Sequence, residues 1–135
     1  MASAKAAAIF IEEYGVLLEL SGANTFRIRA YTNAVRALET LESSLDELLA
    51  TGTLVQVKNI GKSAAKLITE FADTGTTKAF EELKASIPAG VLDMLRVPGL
   101  GPRKINAIRE ELGIEDLTKL EAACSDGKLA GLKGF

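Results

Sequence analysis

The stretch Val97-Pro98-Gly99-Leu100-Gly101-Pro102-Arg103-Lys104 (VPGLGPRK) holds the question posed by this 135-residue chain. Two glycines bracket one apolar residue, and a proline and two cations follow at once. Glycine permits positive φ and lets another molecule approach the backbone with no Cβ in the way. Pro102 suits the first position of a helix, where its missing N–H costs nothing. The unpaired N–H groups of such a helix start carry partial positive charge and form a ready anion site.

The motif is repeated. Val57-Lys58-Asn59-Ile60-Gly61-Lys62 has the same order of apolar residue, any residue, Gly or Asn, apolar residue and Gly. Asn59 is the next most tolerant residue at glycine-like angles. Gly52 precedes Asn59 by seven residues, and Gly127 precedes Gly134 of Leu132-Lys133-Gly134-Phe135 by the same seven. This third copy stops at Phe135, before its second glycine, and reads either as cut from something longer or, more cheaply, as a natural C-terminus that has decayed. Cations stand at both complete copies. Lys62 and Lys66 are four apart and share a helix face, while Arg103 and Lys104 open the second helix, with Arg109 further along it. A phosphodiester backbone would be held at these places, because phosphate contacts fix position without reading sequence. One such turn alone is more often a plain helix connection. Two copies, each with a cationic helix start, favour anion binding.

Composition narrows the chemistry. The chain has no histidine and one cysteine, so a His-based acid/base pair, a Ser-His-Asp triad and a Cys/His zinc site cannot be built. Cys124 can form no intrachain disulfide, which suits a reducing compartment, and it is expected to be a small buried apolar residue. The apolar run Ala6 to Ile11 is too short to span a membrane, so a cytoplasmic location is expected. Net charge is −2, from 16 basic and 18 acidic side chains, and gives no argument for nucleic acid.

At 47% hydrophobic and 25% charged residues, with few aromatics, the composition is globular and favours helix. Ile9, Tyr14, Leu17, Leu18 and Leu20 predict a helix over 3–20, and Phe26, Ile28, Tyr31, Val35 and Leu38 one over about 25–41, capped by Asn24. Ser44 opens a short helix with Leu45, Leu48 and Leu49 as its buried side. Leu54 to Val57 is expected as an extended connector or a helical turn. Further helices are expected at 62–73, 77–86, 89–95, 102–112 and 116–124, with Ile60, Leu67, Ile68, Leu100, Ile105 and Ile108 in the core.

Asn59-Ile60-Gly61 and Gly99-Leu100-Gly101 resemble the helix-hairpin-helix motif of sequence-independent DNA-binding proteins. Phe26-Arg27-Ile28-Arg29-Ala30-Tyr31-Thr32-Asn33-Ala34-Val35-Arg36-Ala37-Leu38 is similar to the start of the family X DNA polymerases, particularly the bacterial type. The likeness continues through Gly52-Thr53-Leu54, Thr74-Gly75-Thr76 and Glu111-Leu112-Gly113-Ile114 and covers nearly the whole chain.

This resemblance implies an all-α fold of two small helical subdomains, each with a helix-hairpin-helix motif. The first, lyase-like, would occupy 1–85 and the second 86–135, ending within the truncated third hairpin. It implies DNA as partner, as a gapped or nicked duplex with a 5′-phosphate in DNA repair, with further domains of a longer polymerase chain. The DNA-binding residues would be Arg27, Arg29, Tyr31, Asn59, Gly61, Lys62, Lys66, Gly99, Gly101, Arg103 and Lys104. No cofactor is required, but the family's hairpins hold a monovalent cation, Na+ or K+, through backbone carbonyls. Here those would belong to Val55, Val57 and Ile60, then Leu95, Val97 and Leu100.

Two departures limit what is implied. The polymerase reaction needs paired aspartates for magnesium, and no Asp-x-Asp occurs, so this chain alone is not expected to polymerise. The sugar-phosphate lyase of eukaryotic relatives uses a lysine as Schiff base where this chain has Leu67, and Lys66 points about 100° away around a helix. A lyase and a protein-interaction module are the competing readings to DNA binding.

Overall fold

A computed structural model describes residues 3–125 and 127. Among them are eight α-helices, one short 3-10 turn and no strand, so the chain is all-α. The helices begin where short polar side chains can accept the first unpaired N–H groups. Ser3 Oγ accepts from Ala6 N–H at 3.0 Å and starts α1 (Ala4–Leu20). Asn24 Oδ1 accepts from Arg27 N–H at 2.8 Å ahead of α2 (Thr25–Glu39), and Ser44 Oγ from Glu47 N–H at 3.0 Å ahead of α3 (Leu45–Thr51). Leu54–Gln56 is a helical turn, the second of the two forms expected for this segment. Then come α4 (Lys62–Thr74), α5 (Lys78–Ser86), α6 (Ala89–Met94), α7 (Pro102–Leu112) and α8 (Leu117–Ser125).

The chain divides into two compact units, Met1–Lys84 and Ala85–Phe135. In the first, α1 lies along α2 and both touch α4. Ile11, Leu18, Leu38 and Ile68 are its most deeply buried large side chains. Phe10 stacks on Phe71 at 4.4 Å between ring centres and lies 4.8 Å from Phe80, fastening α4 and α5 onto α1. In the second unit, Val91, Met94, Ile105 and Ile108 form the centre, and α6 packs on α8.

Not every apolar residue of the helical pattern is buried. Ile9 is 58% and Phe26 83% exposed. Each sits well over 100° around its helix from the middle of the buried stripe, roughly at 100° per residue, and Phe10 and Ile11 take the inward places of α1. Leu48, Leu49 and Leu100 are half-buried. Cys124 is exposed, because Leu120 and Ala123 hold the buried side of α8 and Cys124 falls in its last turn. The third hairpin copy, from Lys128 onward, lies outside the described residues.

In the second unit a glycine has a packing role. A Cβ on Gly90 would collide with the carbonyl oxygen of Glu115 and lie 2.9 Å from Cβ of Asp116. The start of α6 therefore rests directly on the α7–α8 connection. Gly90→Ala is expected to destabilise this unit by about 1–3 kcal/mol, the usual cost of overpacking, despite alanine's better helix propensity. Amide hydrogen exchange resolved by unit checks it: protection should fall in α6–α8 and hold in α1–α4.

Candidate nucleic-acid interface

Both hairpins are built on the same backbone device. The carbonyl of Val57 accepts from Ile60 N–H at 3.1 Å, and that of Val97 accepts from Leu100 N–H at 3.1 Å. In each four-residue turn the third residue has positive φ, 73° at Asn59 and 81° at Gly99. The second residue, Lys58 or Pro98, does not, so both are type II turns. Asn59 is the only non-glycine residue at positive φ among the described residues, and its short polar side chain tolerates the strain better than most. Immediately after each turn Gly61 or Gly101 starts a helix with no side-chain cap. The first-turn N–H groups of α4 and α7 therefore lack the partner that a serine or aspartate would supply.

Gly61 and Gly101 have ordinary extended backbone, φ −80° and −90°. A Cβ on either would meet nothing of this chain within 4 Å. Neither backbone conformation nor internal packing demands glycine at these two positions. What the missing side chains provide is clear space in front of two helix starts.

Around the first hairpin this space is a groove of about 900 Å³ lined by Arg27, Tyr31, Asn33, residues 55–64 and the α2 residue Ala30. The structure thus brings together the predicted Arg27, Tyr31, Asn59, Gly61 and Lys62, with Val55, Val57 and Ile60 in its wall. A neighbouring groove of about 440 Å³ holds Tyr14, Arg27, Tyr31, Ser63, Lys66 and Lys78 beside Glu70 and Glu82. Lys66 is exposed there, whereas Leu67 is 6% exposed and belongs to the core. Arg29 is exposed but lines neither groove. Two residues along a helix place it roughly 160° from Arg27, measured around the axis.

Tyr31 is buried at 5% exposure, so its ring belongs to the floor, with Arg27 and Ser63 among the groove residues around it. Burial, then the neighbouring Tyr14, raise its pKa above the ordinary 10.0 and outweigh Arg27 and Ser63, which lower it. Lys58, Ser63 and Tyr14 were not singled out in the sequence. Lys58 and Ser63 flank named residues, whereas Tyr14 lies within an apolar stripe and carries no local signal.

On the second hairpin Gly99, Gly101, Arg103 and Lys104 are exposed, and Leu95, Val97 and Leu100 are half-buried. Lys104 Nζ donates to the Gly99 carbonyl at 3.4 Å. Arg109 departs from the expectation that it helps hold a backbone. Its Nε and Nη2 donate to Glu115 Oε2 at 3.1 and 3.0 Å, a clamp from α7 to the loop before α8. Among the described residues no group of three or more His, Cys, Asp or Glu could hold a metal ion, and no helix is long and apolar enough to cross a membrane.

Residues 3–77 match the helix-hairpin-helix domain family, and residues 91–135 match the SAM-like helix-hairpin-helix tandem. The chain belongs to the helix-hairpin-helix family. It is also similar to the "DNA polymerase/3′-5′ exonuclease PolX" of Bacillus subtilis (strain 168), at 36% identity over 125 residues. The match covers 93% of this chain and 21% of that protein, so the chain spans about a fifth of its relative. The resemblance to the helix-hairpin-helix region of a bacterial family X polymerase is thereby borne out.

The titration of Tyr31 has a readable consequence. A folded-state pKa above the unfolded value gives stability that is present below about pH 10 and lost as pH rises through the folded pKa. Thermal melts above about pH 10 should therefore fall more steeply for the native chain than for Tyr31→Phe, which cannot titrate there.

Proposed function

We propose that the two helix-hairpin-helix units bind DNA without regard to sequence, at a gapped or nicked duplex bearing a 5′-phosphate, as the DNA-holding region of a polymerase that serves DNA repair. The observation that carries this reading is the clear space at Gly61 and Gly101. The same omission occurs in both copies, at uncapped helix starts beside cations. A phosphate oxygen can approach backbone N–H groups there to hydrogen-bonding distance, as at other helix N-termini.

The roles divide by position. Lys62, Lys66, Arg103 and Lys104 neutralise backbone phosphates, with Asn59, Gly61, Gly99 and Gly101 shaping the approach. Arg27 and Tyr31 receive the terminal phosphate, and Arg29, on another side of α2, contacts the strand beyond it. DNA in the polymerase's own chemistry would be handled by further domains of a longer chain. The name of the Bacillus relative, of which this chain spans 21%, supports that assignment.

Fluorescence anisotropy with a one-nucleotide-gapped duplex, with and without its 5′-phosphate, tests the proposal at two salt concentrations. Tighter binding to the phosphorylated gap is expected, with log affinity falling against log salt by roughly 0.9 per phosphate neutralised. Gly61→Ala and Gly101→Ala should each weaken binding severalfold while costing less than about 1 kcal/mol of stability. Arg109→Ala, by contrast, should leave affinity unchanged. Salt-insensitive binding, or none at low salt, overturns the proposal and leaves a protein partner as the reading to pursue.

The hairpins would also take a monovalent cation, Na+ or K+, on the carbonyls of Val55, Val57 and Ile60 and of Leu95, Val97 and Leu100. The carbonyls of Val57 and Val97 each accept one turn hydrogen bond and keep a second lone pair for such an ion. Replacing K+ by tetramethylammonium at constant ionic strength should then weaken DNA binding in the same assay. Equal affinity in both salts counts against the cation.

A further inference from the structure

Three elements meet through one small polar cluster in the first unit. Tyr14 of α1 is 3% exposed, and its ring meets that of Tyr31 edge-on at 5.0 Å between centres. Nη2 of Arg27, in the first turn of α2, donates to the Tyr14 hydroxyl at 3.5 Å, a long hydrogen bond. Tyr31 lines the same groove wall as Arg27 and as Ser63 in the first turn of α4. All four side chains line the same groove, which Lys66 also borders.

We propose that Tyr14 is a positioning residue for the terminal-phosphate site: its hydroxyl tethers the Arg27 guanidinium over the groove while its ring fixes Tyr31 between Arg27 and Ser63. This rests on the DNA-binding reading above and adds to it a residue that touches no phosphate. An exposed arginine has several rotatable bonds, and ordering them on binding costs entropy. A partner held rigidly in the core reduces that cost before the ligand arrives. Tyr14 is such a partner, because the aromatic packing of its ring leaves only the hydroxyl directed at the groove. The arrangement also keeps Arg27 from being drawn elsewhere, since among described contacts its guanidinium meets the Tyr14 hydroxyl and no carboxylate. The Tyr31 phenol, protonated well past neutral pH, remains a donor beside it.

Tyr14→Phe in the full chain removes the hydroxyl and keeps the ring. Its test is the ratio of affinities for the gapped duplex with and without a 5′-phosphate, read together with the melting temperature. The ratio should fall by about fivefold, equivalent to one hydrogen bond of ordinary strength, with affinity for the unphosphorylated gap unchanged. In an Arg27→Ala background the same substitution should change nothing, because the group it positions is gone. A Tyr14→Phe ratio equal to that of the native chain overturns the inference and leaves the DNA-binding reading standing. A large loss of melting temperature, or an equal effect in the Arg27→Ala background, assigns Tyr14 a merely structural role and also overturns it. A native chain that ignores the 5′-phosphate removes both this inference and the terminal-phosphate reading on which it rests.

Discussion

One backbone hydrogen bond, made twice, organises each helix pair: the carbonyl of Val57 or Val97 receiving the N–H of Ile60 or Leu100 at 3.1 Å. Closing that bond as a type II turn places the third residue in the left-handed region, which Asn59 and Gly99 occupy at low cost. Once the turn is closed, Ile60 enters the core and Leu100 is partly covered. The next helix must then begin at Gly61 or Gly101, with its N-terminus at the surface. Helix direction, core register and the exposed N–H groups thus follow from one short loop. The loop recurs with an offset of forty residues, from Val57 to Val97, in two units whose other helices differ in length.

The charge distribution fits this geometry better than the total does. A net charge of −2 argues for no anionic partner, yet the cations are not scattered evenly. Lys58, Lys62 and Arg27 line the groove of the first hairpin, whereas in its neighbour Lys66 and Lys78 stand beside Glu70 and Glu82, with Lys78 Nζ 3.9 Å from Glu82 Oε1. At the second hairpin Arg103 and Lys104 are exposed on the first turn of α7, while Arg109, one helical turn and more beyond, is held by Glu115. The same residue type therefore acts in two ways within one helix. Fields at short range depend on where charge is concentrated, and acidic residues on other faces are screened by salt within about 10 Å.

Most of the fold was legible because helices advertise themselves. Ser44 and Asn24 cap, Gly75 and Gly113 terminate in the left-handed conformation, and the apolar spacing gives the stripes between. The apolar spacing names helices without assigning each residue a side. Ile9 and Phe26 are large and apolar, yet their angular positions put them in solvent. Cys124 was expected inside on residue type, but one residue of register separates it from buried Ala123. Of the site, the hairpin glycines and the cations beside them could be read directly, since turn chemistry is local. The link from Tyr14 through Arg27 and Tyr31 to Ser63 could not. It gathers side chains from three helices, with Tyr14 and Arg27 lying 13 positions apart, and a tyrosine in a buried stripe looks like any other core aromatic.

Glycine itself shows why type alone cannot assign a role. At Gly99 the backbone angle requires it, and at Gly90 the approach of the Glu115 carbonyl does. Gly61 and Gly101 satisfy neither condition: their angles suit any residue and the space before them is empty of this chain. A serine or aspartate in their place would cap the helix and add roughly a few tenths of a kcal/mol of stability. The chain forgoes that gain at the same register in both units. Stability left unclaimed at a surface position, twice, beside cations, is what a binding surface looks like when the ligand and the fold compete for the same N–H groups. The capping groups missing from the chain are those that an anionic ligand would supply.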